Sequence, residues 1–157
     1  MQLTEHFYLE EASKSDTAAR KGIDNSIPLE LIPVITKTAV KLEKVRAALG
    51  NRPISIDSWY RCPSLNAALG SKSTSQHIKG EAVDFVCPAF GSPTRIAQEL
   101  MKHKEVIGWD QLILEHTWIH ISWNSIPGSA QKGQVLSLLS DGGYATGLTD
   151  PRGVGIA

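Results

Sequence analysis

Between Pro28 and Leu49 the apolar residues Ile32, Ile35, Ala39, Leu42, Val45 and Leu49 recur every three or four positions, the repeat of one helix face. The spacing predicts one long amphipathic helix whose stripe is core. Ser26 is its candidate cap, Gly50 its terminator, and Pro33 belongs to the first turns or to a kink. Elsewhere the period is two. Pro53 to Ser58 alternates like a strand that delivers Tyr60 and Arg61 to a loop, and Ala82 to Val86 is an apolar strand interrupted by Asp84. Gln111 to Glu115 and Trp118 to Trp123 form a hairpin around a turn at His116 and Thr117. Its alternation puts Trp118, His120 and Ser122 on one face and Ile119 and Ile121 on the other. Shorter helices are expected over Leu9 to Arg20, where Asp16 or Thr17 caps and Gly22 stops, over Ser64 to Leu69 ended by Gly70, and from Ser92 to about His103 with Ile96, Ala97, Leu100 and Met101 inward. After Ser125 the recurrent glycines suggest loops, with Val135 to Leu139 a short helix or strand and poor order from about Asp141. The predicted fold is α+β: a small antiparallel sheet packed against several helices.

Length and composition add that 157 residues, 41% hydrophobic and 20% charged, suit a single globular domain with one core. Sixteen basic and sixteen acidic side chains cancel, so no global field favours nucleic acid or an anionic membrane, and neither is expected as a partner. The start lacks a basic segment followed by an apolar one, and no eighteen consecutive residues are apolar, so a chain made in the cytoplasm without a signal peptide is expected. A monomer is the expected state. Cys62 and Cys87 form no CxxC pair and are expected as reduced thiols. His6 and His103 have no ligand-like neighbours and read as solvent-facing, and His116 as an exposed turn residue.

Asp84 brings in the chemistry. An ionised carboxylate in a buried strand is costly unless something compensates it, and a metal ion does. Gly80 allows a sharp turn that folds His77 back beside Asp84, and His120 lies on the polar face of its strand. A lone strand histidine is usually just hydrogen-bonded and a lone buried aspartate usually salt-bridged. Taken together, two imidazoles and one carboxylate are a ligand set for Zn2+ that leaves the fourth position to water or substrate.

The run Ser58 to Arg61, Leu65 and Asn66, Gly70, Ser75 to Asp84, Asp110 to Glu115 and Trp118 to Ser122 resembles the zinc D-Ala-D-Ala carboxypeptidase group. More narrowly it resembles the phage-type branch with L-alanyl-D-glutamate or D-Ala-D-Ala peptidase activity, in the superfamily that also holds lysostaphin-type enzymes and the hedgehog domain. The opening from His6 to Glu11, with Ser15, Asp16, Ala18 and Ala19, is similar too. The likeness spans about residues 5 to 125 and leaves 126 to 157 as a C-terminal extension.

The resemblance implies that His77, Asp84 and His120 are zinc ligands, Glu115 the catalytic acid/base, and Arg61 the arginine that steadies a substrate carbonyl or carboxylate. It further implies a peptidase acting on peptidoglycan stem peptides, released to the cell wall as a phage lysin or carried in a virion. Tyr60, Ser75 and Trp118 are the substrate-binding candidates. Trp59 stands where the family usually has Gly, and Glu115 precedes His120 by five residues where many relatives have three. Other readings stay open at this point: Arg61 as a structural ion-pair residue, Glu115 as a solvent-facing hairpin residue with Asp110 the next carboxylate, and the whole chain as a catalytically silent zinc-binding module.

Overall fold

The computed structural model describes residues 1–156. Six strands, β1 (Ser55–Ser58), β2 (Ala82–Val86), β3 (Gln111–Leu114), β4 (Ile119–Ser122), β5 (Gln134–Leu138) and β6 (Tyr144–Thr146), form one open sheet in the order β1-β2-β4-β3-β5-β6. The expected α+β class holds, but the sheet is mixed rather than purely antiparallel: β5 runs parallel to β3, and the other pairings are antiparallel. The return is made by β4, which runs antiparallel to β3, and residues 123–133 then carry the chain past the start of β3, where Ser122 and Gln134 flank Gln111. The segment with the poorest sequence signal thus contributes two strands. Its pattern was faint because β6 is short and its Tyr144 is exposed.

Strand alternation divides the sheet into two faces. Val83, Phe85, Leu112, Ile119, Ile121 and Val135 point to one side and are buried. They meet the apolar stripes of α3 (Ile32–Ala48), through Ile35, Ala39, Leu42 and Val45, and of α5 (Pro93–Lys102), through Ile96, Ala97 and Leu100. The other face carries the cross-strand row Ser58, Asp84, His120, Ile113, Leu136 and Thr146. No helix of the described residues is long and apolar enough to cross a membrane.

Helix boundaries differ from expectation for local reasons. The long helix begins at Ile32, after a 3-10 turn over Leu29–Leu31, because Pro33 occupies its first turn, where a missing N–H costs nothing. Ser26 caps nothing; its N–H donates to Asp24 Oδ1 at 2.9 Å. The N-terminal segment splits into α1 (Leu9–Ser13) and α2 (Asp16–Lys21), the latter capped by Ser15, whose Oγ accepts from the Ala18 N–H. Cys62 caps α4 (Pro63–Ala68), and α6 (Lys104–Ile107) follows α5. Both cysteines are buried free thiols.

Candidate metal centre and cleft

Asp84 sits mid-strand in β2, directly opposite His120 in β4. His120 Nδ1 lies 2.8 Å from Asp84 Oδ1, and His77 Nε2 lies 3.3 Å from Asp84 Oδ2. One donor atom from each of the three residues falls within 4.8 Å of the others, the grouping a single ion spans.

His77 reaches this point from a different kind of element. It belongs to the 3-10 turn Gln76–Lys79, where Ser75 Oγ accepts from the His77 N–H itself, and the turn ends at Gly80 with φ +74°. That left-handed conformation suits only glycine without strain. A side chain there would also collide with Ile35, since an added Cβ would lie 2.5 Å from Ile35 Cγ1. The Gly80 carbonyl accepts from Trp59 Nε1 and from Thr38 Oγ1, both at 3.0 Å. His77 Nδ1 in turn donates to the Trp59 carbonyl at 2.6 Å, so Nε2 faces Asp84: in the neutral ring it offers a lone pair to a metal, and in the protonated ring it donates to the carboxylate. Trp59, the departure from the family pattern, is therefore the fully buried residue that pins the ligand turn to the core from two sides. No sequence period marks it as such.

The Arg61 loop is zipped to the same turn, its N–H donating to the His77 carbonyl at 3.1 Å. Buried Asn25 holds the loop from behind: its amide donates to the Ser13 and Tyr60 carbonyls and its oxygen accepts from the Cys62 N–H at 2.7 Å. The Arg61 guanidinium spreads over three acceptors, Ser58 Oγ and Ser71 Oγ at 3.0 Å and Asp84 Oδ2 at 3.3 Å. It braces the central carboxylate and lines the cleft at once.

The charges follow this packing. Burial opposes ionisation of Asp84, yet hydrogen bonds from His120 and His77 hold its carboxyl well below the usual carboxylate range. Burial pushes His77 down, only partly offset by Asp84, which favours the neutral imidazole that a metal requires. Burial raises Glu115, partly offset by the nearby His120.

An open cleft of about 490 Å³ has this cluster at its floor. Arg61, Ser75, Glu115 and Trp118 all line it, as expected from the sequence. Glu115 is brought over by the tight hairpin, in which its N–H donates to the Trp118 carbonyl at 3.1 Å, and by strand alternation, which puts Gln111, Ile113 and Glu115 on the site face. Tyr60 does not join them: it is 4% exposed and packs in the core behind the loop, so its expected place on the substrate wall is withdrawn. Asp110 is also elsewhere, committed to the Lys132 N–H at 2.9 Å and to Gln76 Nε2 at 3.3 Å. Tyr144 of β6, absent from the expected set, completes the far wall.

The residues present fit Zn2+. The set is two imidazoles and one carboxylate, one imidazole is oriented by a backbone acceptor, Arg61 braces the carboxylate, and the approach is open on the cleft side.

Comparison with known proteins places these residues in a family context. The Peptidase M15 family model matches residues 5–122. A zinc D-Ala-D-Ala carboxypeptidase of Streptomyces albus G is 32% identical over 73 residues, covering 45% of this chain and 28% of that protein. The chain thus matches less than a third of that relative's length.

Proposed function

Starting from the fact that the chain belongs to the peptidase M15 family, we propose that it is a zinc-dependent peptidase that hydrolyses the stem peptides of bacterial peptidoglycan, with Glu115 as its general base. The observation that carries this reading is the His77, Asp84 and His120 cluster at the floor of an open cleft, with an unpaired approach side and a carboxylate on the same face. Zn2+ held by these three side chains would supply a Lewis acid for the scissile carbonyl and lower the pKa of a water beside it.

The chain's own residues do the rest. Glu115 takes a proton from the attacking water as the C–O bond forms and the carbonyl oxygen gains charge, then returns it to the departing nitrogen as the carbonyl reforms and the C–N bond breaks, so no proton is lost. Its carboxyl, raised by burial, lies closer to the working pH of a base than an exposed glutamate does. Asp110, with its carboxylate already engaged outside the cleft, lacks that position. Arg61 keeps Asp84 oriented and presents its remaining N–H groups to the negative charge that develops on the carbonyl oxygen. Trp118 and Ser75 provide the walls against which an extended peptide lies.

The motif run resembles the phage branch, and a wall lysin acting as a monomer is the setting this implies. Purified protein loaded with zinc should release peptide fragments from defined cell walls, and mass spectrometry of the new termini identifies the bond. Glu115→Gln should retain zinc and lose turnover. Binding to walls without any cleavage by the native chain would replace the enzyme with a silent binding module.

A further inference from the structure

Tyr144 lies beyond residues 5–122, in the strand pair that extends the sheet past the family match. The placement is specific. β5 joins β3 in parallel with Ile113 beside Leu136 and Leu114 beside Ser137, and β6 folds back with Tyr144 opposite Leu138. Because Val135 and Ser137 are the buried positions of β5, Leu136 and Leu138 face the cleft side, and so does Tyr144 across from Leu138. Its phenol Oη donates to Glu115 Oε1 at 3.4 Å. Among the described residues this is the side-chain hydrogen bond of the Glu115 carboxylate, and both residues line the cleft above the metal ligands.

We propose that Tyr144 is a positioning residue for Glu115, holding one carboxylate oxygen so that the other faces the attacking water. The inference rests on the reading of Glu115 as general base. A carboxylate at the end of a strand can rotate about its side-chain torsions, and a base is effective only while its acceptor oxygen stays within hydrogen-bond reach of the proton it abstracts. A fixed phenol donor on the opposite oxygen removes that freedom. Partial burial pushes both Tyr144 and Glu115 upward in pKa. The C-terminal strands then contribute directly to turnover as well as to the sheet.

Tyr144→Phe deletes only the hydroxyl, and at 50% exposure the ring gives the core little to lose, so folding is expected to survive. The assay uses soluble stem peptide prepared from purified peptidoglycan, with zinc content and melting temperature measured in parallel. The expected result is a fall in kcat of about three- to tenfold, the range set by one ordinary, partly solvent-exposed hydrogen bond, with KM within about twofold of native. In a Glu115→Gln background, already slow, Tyr144→Phe should change kcat by less than about twofold, since the partner charge is gone. Equal losses in both backgrounds would show that the phenol acts independently of Glu115 and overturn the inference. So would a rise in KM at unchanged kcat, which would make Tyr144 a wall for substrate, or native kinetics in Tyr144→Phe. Should Glu115→Gln itself keep native kcat, the base assignment fails first, and that outcome is read from the single variant alone.

Discussion

At the scale of single residues, the buried charge of Asp84 decides what the centre is. Two imidazoles and a guanidinium surround a carboxylate that is 7% exposed, so the one buried anion is the point on which the donor groups of the centre converge. Arg61 is the partner whose chemistry cannot be exchanged, because its planar fork meets Ser58, Ser71 and Asp84 together whereas a lysine ammonium is one point charge. Arg61→Lys is expected to weaken zinc about 10–100-fold, the usual consequence of losing a residue that orients a ligand. Competition with a chromogenic chelator measures this, and unchanged affinity would confine Arg61 to substrate. His77, Asp84 and His120 were legible from sequence because their side-chain types are the donor types zinc takes and strand alternation orients one of them. Tyr60 was misplaced because an aromatic residue beside a site loop carries no signal for which side of the loop it faces.

At the scale of elements, the turn from Gln76 to Gly80 is the most constrained piece. Its glycine combines φ +74° with a position hard against Ile35, and its carbonyl is gripped by Trp59 and Thr38. Gly80→Ala is expected to cost about 2 kcal/mol or more from the left-handed backbone and the collision together. The melting temperature should then fall by at least about 4 °C in calorimetry. An unchanged melting point would mean that the turn relaxes freely.

The N-terminal segment is fastened to α3 by a second polar knot. Glu43 accepts from Thr4 Oγ1 at 2.7 Å and from the His6 N–H at 2.8 Å, and His6 Nδ1 lies 2.8 Å from its other oxygen. The histidine expected to face solvent is a structural partner instead. Burial opposes the Glu43 charge, but the hydrogen bonds from His6 and Thr4 outweigh it and hold the carboxyl below its ordinary 4.5. A depressed carboxylate contributes stability that is present above its unfolded value and lost as pH falls through the folded one. Glu43→Gln should therefore cost about 1–3 kcal/mol at neutral pH, with the gap to the native chain closing below about pH 4.5. Urea titrations at several pH values test both halves, and a gap independent of pH would locate the effect in packing alone.

For the whole molecule, the sheet past β3 is the part that matters beyond the family match. β5 covers the outer edge of β3 and adds Val135 to the core, while β6 brings Tyr144 to the cleft. A chain ended at Ser125 would expose the backbone donors and acceptors of Gln111–Leu114 as an unpaired edge. It is expected to aggregate or to melt well below the full chain in size-exclusion and thermal-shift measurements. A soluble truncated chain with native melting would show that the core closes without β5.

The amino-acid order alone determined the period of each element, the helix stripe that became core, the hairpin that puts Glu115 and His120 on one face, and the glycine that lets the turn after His77 close. Each is set by contacts between near neighbours, whose geometry is written in spacing, whereas the pairing of Asp84 with His120 spans 36 residues and was decided by the sheet. Only the tertiary structure decided that Trp59 and Thr38 clamp Gly80, that Asn25 holds the Arg61 loop, that β5 pairs parallel to β3 and that Tyr144 meets Glu115. Those partners lie up to 42 residues apart, as Thr38 and Gly80 do. A hydrogen bond across such a separation depends on how the layers pack, and a buried tryptophan or asparagine has the same local signature whichever carbonyl it serves.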